Sequence, residues 1–305
     1  MSIVISKKRA KEINLTCFGE VLWDCFYSGK RLGGAPLNMC FRFNSLGLKA
    51  HMISAVGNDE LGQALLSEIN EKGLSTELIY VHESKPTSIV EVVLDKNGSA
   101  QYQIVTDTAW DNISLTEQIR STVKNTDIFV FGSLIARTEG SFNTLNQLLA
   151  DTNFKVFDVN LRAPHYQLEK LVALMNQADF IKLNDDELYE IAKLMGSKYH
   201  SLEQNLAFIA KQTHTDYLCV TKGNHGALLS IKGKNYYNSG YHVDVVDTVG
   251  AGDSFLGSLI YQLCMESPPQ QAINFACAVG AMVAQQQGAT PILSHQLINA
   301  FIEPQ

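Results

Sequence analysis

The stretch Phe154-Lys155-Val156-Phe157-Asp158-Val159-Asn160-Leu161-Arg162 is a short apolar run that ends in charge. Aromatic and β-branched residues without polar alternation suit a strand buried on both faces. The same form recurs at residues 15–18, 50–56, 128–131, 180–183 and 217–220. Between these runs lie helical patterns at residues 36–47, 59–72, 140–150, 167–177 and 184–195. Pro36 falls early in its helix, where a missing N–H costs nothing. Strands alternating with helices predict an α/β protein: a mostly parallel central sheet with helices on both faces.

Two segments break that rhythm. Residues 20–33 and 86–106 read as β-ribbon, and Asn97-Gly98 supplies a hairpin turn signal in the second. Ribbons inserted in an α/β chain form either a lid or a plain surface hairpin. No Pro-, Gly- and Ser-rich linker interrupts the chain, so residues 1–305 are expected to form one domain.

Composition excludes several classes. The 305 residues are 46% hydrophobic with a formal net charge of -7. Beyond Lys7, Lys8, Arg9 and Lys11 there is no basic cluster, and those four read as a solvated N-terminal extension. A nucleic-acid partner is therefore not expected. The six cysteines include no CxxC pair and sit mostly in apolar runs, which argues against disulfides or a zinc site. Residues 1–13 are charged and resemble no signal peptide, and no run of about 18 apolar residues marks a membrane span. The expectation is a reduced, cytoplasmic protein.

In open parallel sheets, ligands bind beyond the carboxyl ends of the strands. Here those ends run into Glu20 and Asp24, Asp59, Ser133, Asp158 to Arg162, Asn184 and Glu187, Thr221 to Gly223, and Asp247 to Asp253. The strongest feature is Asp247-Thr248-Val249-Gly250-Ala251-Gly252-Asp253, with a helical pattern from Ser254 onward. Glycines permit a tight turn with free N–H groups, and a helix N-terminus carries roughly +0.5 charge. That combination binds anions and suits a transferring phosphoryl group. Asp253 beside it can take a proton from an attacking hydroxyl, or can simply cap the helix. No Lys-Ser/Thr follows, so this is not a Walker loop, and no GxGxxG marks a dinucleotide site. A second motif, Gly33-Gly34-Ala35-Pro36-Leu37-Asn38, places Asn38 in the first turn of a helix, able to bond sugar hydroxyls or merely to follow a tight turn.

Together the two motifs resemble the signatures of the PfkB/ribokinase family of carbohydrate kinases. Gly57-Asn58-Asp59, Asn184 with Glu187, Thr221-Lys222-Gly223 with Gly226, and Gly288-Ala289 fall in the family's order. The resemblance implies a three-layer, ribokinase-like α/β fold with a small β lid, ATP and Mg²⁺ as cofactors, and a homodimer paired through the lid. Asp24 and the Asp158-x-Asn160-x-Arg162 pattern look most like fructokinases, so the implied reaction is fructose to fructose 6-phosphate. Ribokinase, ketohexokinase, 2-keto-3-deoxygluconate kinase and adenosine kinase activities, or non-catalytic sugar binding, remain open.

The resemblance also implies roles. Asp253 is the base, and the N–H groups of Gly250, Ala251 and Gly252 form the anion hole. Asp24, Gly33, Gly34, Asn38 and Asn160 hold the sugar. Arg162 reaches the sugar or the γ-phosphate, with a surface salt bridge as the alternative. Thr221, Gly223, Gly226 and Cys277 line the nucleotide beside Asn184, Gly250 and Gly252. Asn184 and Glu187 organise Mg²⁺ through waters, with helix capping as a competing or additional role. Asp247, the Val249 carbonyl and the Gly288 region match a monovalent-cation loop for K⁺. Val249 stands where Thr is commoner. Trp110 either walls the sugar site or packs in the core.

Overall fold

A computed structural model describes residues 10–26, 29–94 and 100–303. The central sheet contains β1 (Asn14–Phe18), β4 (Lys49–Gly57), β5 (Ile79–His82), β8 (Ile128–Gly132), β9 (Phe154–Asp158), β10 (Phe180–Asn184), β11 (Tyr217–Thr221), β12 (Ala227–Ile231) and β13 (Lys234–Asn238). A second sheet holds β2 (Leu22–Phe26), β3 (Gly29–Gly33), β6 (Ser88–Leu94) and β7 (Ala100–Ile104). The central order is β13-β12-β11-β10-β9-β8-β1-β4-β5, and the second is β3-β2-β6-β7.

Every pairing from β11 to β5 is parallel. Buried strand residues alternate strictly between two cores. Leu15, Cys17, Ile128, Val130, Val156, Phe180 and Cys219 face one side. Phe18, Phe129, Phe131, Phe157, Ile181 and Val220 face the other. The first core is covered by α1 (Ala35–Ser45), α2 (Glu60–Glu71), α8 (Ala251–Cys264), α9 (Pro269–Ala284) and α10 (His295–Ile302). The second lies under α3 (Glu117–Lys124), α4 (Glu139–Leu149), α5 (Leu168–Met175), α6 (Asp185–Leu194) and α7 (Leu202–Thr213). The expected three layers are thus present.

Sequence reading missed the antiparallel edge. β12 pairs antiparallel with both β11 and β13. Its turn to β13 is Lys232-Gly233, and both residues have positive φ, 50° and 78°. That is the backbone of a two-residue hairpin turn, but Lys disguises it where Asn or Asp would signal it. The expected ribbons form the second sheet, with β6 and β7 antiparallel. The Asn97-Gly98 turn between them lies outside the described residues. No helix among the described residues is long and apolar enough to cross a membrane.

Trp110 belongs to the second core and is fully buried, so it does not wall the sugar site. The Arg137 guanidinium lies 4.0 Å from its ring centroid. Arg137 also donates to both carboxylate oxygens of Asp111 (2.7 and 2.6 Å) and to the Val105 carbonyl (2.8 Å), just past the end of β7. Both partners are nearly inaccessible, with side-chain exposures of 3% and 1%. Removing one member of such a pair strands the other's charge. Arg137→Met is therefore expected to cost about 3–5 kcal/mol in urea unfolding.

Candidate active site

α8 starts at an unusual corner. Gly250 caps it with φ 73°, a left-handed conformation that favours glycine. A Cβ there would overlap Ala289. The N–H groups of Gly250 and Gly252 have no acceptor among the described residues, while that of Ala251 donates to the Thr248 carbonyl at 3.3 Å. The expected three-donor anion hole is thus reduced to two ready donors in this conformation, because the loop turns back on Thr248.

Asp253 projects from the first turn of α8. Its Oδ2 accepts from Asn38 Nδ2 at 2.8 Å, which joins the two sequence motifs across 215 positions. Asn38 itself is buried in the first turns of α1, which begins at Gly34 with φ 115°. A buried cation holds the two helices together. Arg42 donates to Ser254 Oγ (3.3 Å), Ser45 Oγ (3.4 Å) and the Pro291 carbonyl (3.1 Å), and its chain packs on Gly257. Burial lowers the Arg42 pKa to about 10.

The carboxylates here are poised near neutrality. Burial, with the neighbouring Asp158 charge, raises Asp253 to about 6 against the opposing Asn38 hydrogen bond. Burial also raises Asp24 to about 6 and Glu20 to about 7. Glu20 Oε1 accepts from the Ala35 N–H at 3.2 Å, capping α1 in place of a Ser or Thr. Asp24 packs against Gly33, where a Cβ would displace it.

These groups line a cleft of about 640 Å³ between the central sheet and the lid sheet. Its wall includes Asp24, Gly34, Asn38, Asn160, Arg162, Asn184, Thr221, Gly223, Gly250 and Gly252, together with Asp253. Asn160 has φ 40°, a conformation that Asn tolerates better than most residues. Arg162 is exposed and donates to the Leu161 carbonyl at 2.9 Å, and it makes no salt bridge among the described residues.

Other expected residues sit elsewhere. Gly226 shapes the turn into β12, where a Cβ would strike Asn238, and is not part of the cleft wall. Cys277 is buried on α9 beside Cys219, also off the wall. Asn184 and Glu187 form a reciprocal cap on α6: Asn184 Oδ1 accepts from the Glu187 N–H and Glu187 Oε2 from the Asn184 N–H, both at 2.8 Å. Glu187 Oε1 accepts from the Leu161 N–H at 2.8 Å, tying in the segment that carries Asn160 and Arg162. Asp247 accepts from the N–H groups of Val249 (3.0 Å) and Gly288 (3.1 Å) and pairs with Arg31 of the lid at 3.2 Å. No cluster of three or more His, Cys, Asp or Glu able to hold a metal occurs among the described residues.

Sequence reading missed Lys182. It interrupts the apolar run of β10 and is buried on the first-core face, with Nζ 3.0 Å from Asp158 Oδ1. The available signal was one charge inside a strand expected to be apolar on both faces.

The fold is a three-layer α/β fold whose cleft wall includes a glycine corner at a helix start. Residues 4–296 match the model of the pfkB family carbohydrate kinases, and the chain belongs to that family. It is 26% identical over 315 residues to fructokinase-2 of Solanum lycopersicum, covering 92% of each chain. Among solved structures it resembles the ATP-bound fructokinase of Xylella fastidiosa (TM-score 0.83, 22% identity, 96% and 98% of the two chains). A fructokinase double mutant of Vibrio cholerae O395, bound to fructose, ADP and potassium, gives TM-score 0.83 at 21% identity over 97% and 100% of the chains.

Because the Gly250 corner sets the donors, Gly250→Ala is expected to lower kcat/KM for ATP about 100-fold, the scale of an ångström-level misplacement. Steady-state kinetics at saturating sugar would check it.

Proposed function

We propose that this protein transfers the γ-phosphate of ATP to a sugar hydroxyl, with fructose converted to fructose 6-phosphate as the leading reaction. One observation carries the reading: the Asp253 carboxylate is held by Asn38 of the opposite motif, beside the unbonded N–H groups at the start of α8. A carboxylate able to act as base thus lies beside N–H groups able to bind an anion, and the cleft wall carries further polar groups. The fructokinase names of its relatives favour fructose.

In this reading the sugar lies against Asp24, Gly33, Gly34, Asn38 and Asn160, below the lid. Arg162 lies near enough to Glu20, Asp24 and Asp253 for its charge to lower their pKa values, and it is the residue that would reach the sugar or the phosphate. Thr221 and Gly223 flank the nucleotide. Asn184 and Glu187 would hold Mg²⁺, and would do so through waters, since both Glu187 oxygens already accept backbone N–H groups and direct ligation would disturb the cap. When bound, the ion neutralises charge on the phosphates. Asp247, the Val249 carbonyl and Gly288 are the residues that would hold K⁺. Asp253 takes the hydroxyl proton while the sugar oxygen attacks phosphorus, and the Gly250 and Gly252 N–H groups meet charge developing on the transferring group.

A panel of fructose, ribose, 2-keto-3-deoxygluconate and adenosine with ATP decides the acceptor. Phosphorylation of none of them, with sugar binding retained in calorimetry, would favour a binding protein instead. Asp253→Ala is expected to reduce kcat by about 10²–10⁴-fold with little change in KM. A variant keeping more than a tenth of wild-type turnover would remove Asp253 as the base.

The pH profile supplies a separate check. The base works only when ionised, and the Asp253 carboxyl is raised to about 6. Activity is therefore expected to fall as pH drops through about 6, an acid limb well above that of an ordinary Asp near 4. A profile flat down to pH 5 would contradict this.

A further inference from the structure

The cleft has the wrong sign for its ligand. Its wall carries the carboxylates of Glu20, Asp24, Asp158 and Asp253, yet the proposed donor is a polyphosphate. Among the described wall residues, fixed positive charge comes from Arg162 and Lys182 alone. Arg162 is exposed and reaches its own neighbour's carbonyl. Lys182 is different in kind.

Lys182 lies opposite Asp158 in the parallel register of β9 and β10, on the face covered by α8 and α9. Beside it in register on β11 stands Cys219, and below it on that face stand Phe180 and Val156, all fully buried. A hydrophobic residue at 182 would continue this core without desolvating a charge, and buried ion pairs are seldom more stable than such a replacement. Packing alone therefore does not account for the pair. Its direction does: a Cβ placed on Gly252 would have Lys182 Nζ as its nearest neighbour, at 3.7 Å. The ammonium therefore stands against Gly252 in the first turn of α8, a residue whose N–H has no acceptor among the described residues.

We propose that Lys182 is a catalytic residue that donates hydrogen bonds to the γ-phosphoryl group during transfer, and that Asp158 is its positioning residue. This rests on the kinase reading above. An ammonium already fixed by a carboxylate needs no reorganisation when phosphoryl charge develops beside it. The reaction balances without change at Lys182. The bond from γ-phosphorus to the β,γ-bridging oxygen breaks as the bond from the sugar oxygen to phosphorus forms. The hydroxyl proton passes to Asp253, ADP departs with the electron pair, and Lys182 keeps its three protons. Asp158 Oδ2 is buried without a partner, so a contact from Asp158 to a metal ion is the competing role for this pair.

The test is a paired set of variants on the full chain. Lys182→Met alone strands a buried carboxylate, so Lys182→Met/Asp158→Asn carries the weight, with Lys182→Arg as the charge-conserving rescue. With the sugar the wild type accepts, the double variant is expected to lose about 100-fold in kcat, and Lys182→Arg to keep at least about ten times its turnover. Calorimetry should show ADP affinity within about threefold of wild type, reporting an intact nucleotide site, while ATP affinity falls at least about tenfold. The sugar-dependent tightening of ADP with aluminium fluoride, a mimic of the transferring group, should disappear. A double variant with kcat within about threefold of wild type would overturn the proposal, as would an Asp158→Asn variant whose defect is fully repaired by raised Mg²⁺. If the wild type phosphorylates no sugar, the kinase reading fails instead, and the comparison of ATP with ADP affinity still judges Lys182.

Discussion

The hydrogen bond from Asn38 to Asp253 ties together two helices whose first turns come from opposite ends of the chain. Neither helix start is defined alone. α1 begins at a glycine with φ 115°, its first N–H, that of Ala35, meeting the buried Glu20 carboxylate rather than a Ser or Thr cap. α8 begins at Gly250, which only a residue without a side chain can place against Ala289. Arg42 then fixes the distance between them, since its three acceptors belong to α1, α8 and the segment after α9. The position of the candidate base is therefore a property of the whole first-core layer.

That layer is built at an electrostatic cost. Glu20, Asp24, Asp158 and Asp253 converge where water is partly excluded, and three of them have pKa values raised by burial. Lys182 resists the same trend. Burial favours its neutral form, but the carboxylates of Asp158 and Glu187 outweigh that, and its pKa lies above the ordinary value. Such groups oppose folding and are compensated by the apolar strands beneath them, which contribute nothing to chemistry. In β9 stability and site are divided along the strand: Val156 and Phe157 are core, and Asp158 at the carboxyl end lines the cleft.

The same division explains what was legible beforehand. Apolar runs such as residues 128–131 and 217–220 revealed the parallel strands because burial on both faces leaves no room for alternation. The polar ends of the strands and the two glycine motifs do meet at one cleft. Lys182 escaped notice because its meaning lies in the cross-strand neighbour Asp158, and register is invisible in a single strand. The β12–β13 hairpin escaped because Lys232-Gly233 adopts a turn whose usual residue signal is missing. Gly226 and Cys277 lie off the wall of this cleft, at a turn and on a buried helix face that motif order does not reveal. The capping box of Asn184 and Glu187 was readable as a cap; the grip of Glu187 on the Leu161 N–H was not.

Glu20 has one oxygen on the Ala35 N–H and its other buried without a partner. With a pKa of about 7, it exchanges its proton in the range where cells operate, and Asp24 and Asp253 follow close below. Any ligand that alters the charge around these three acids must move protons between protein and solvent. The heat of binding measured for this cleft will then contain the ionisation heat of the buffer, and affinity will carry its own pH slope, independent of any catalytic step.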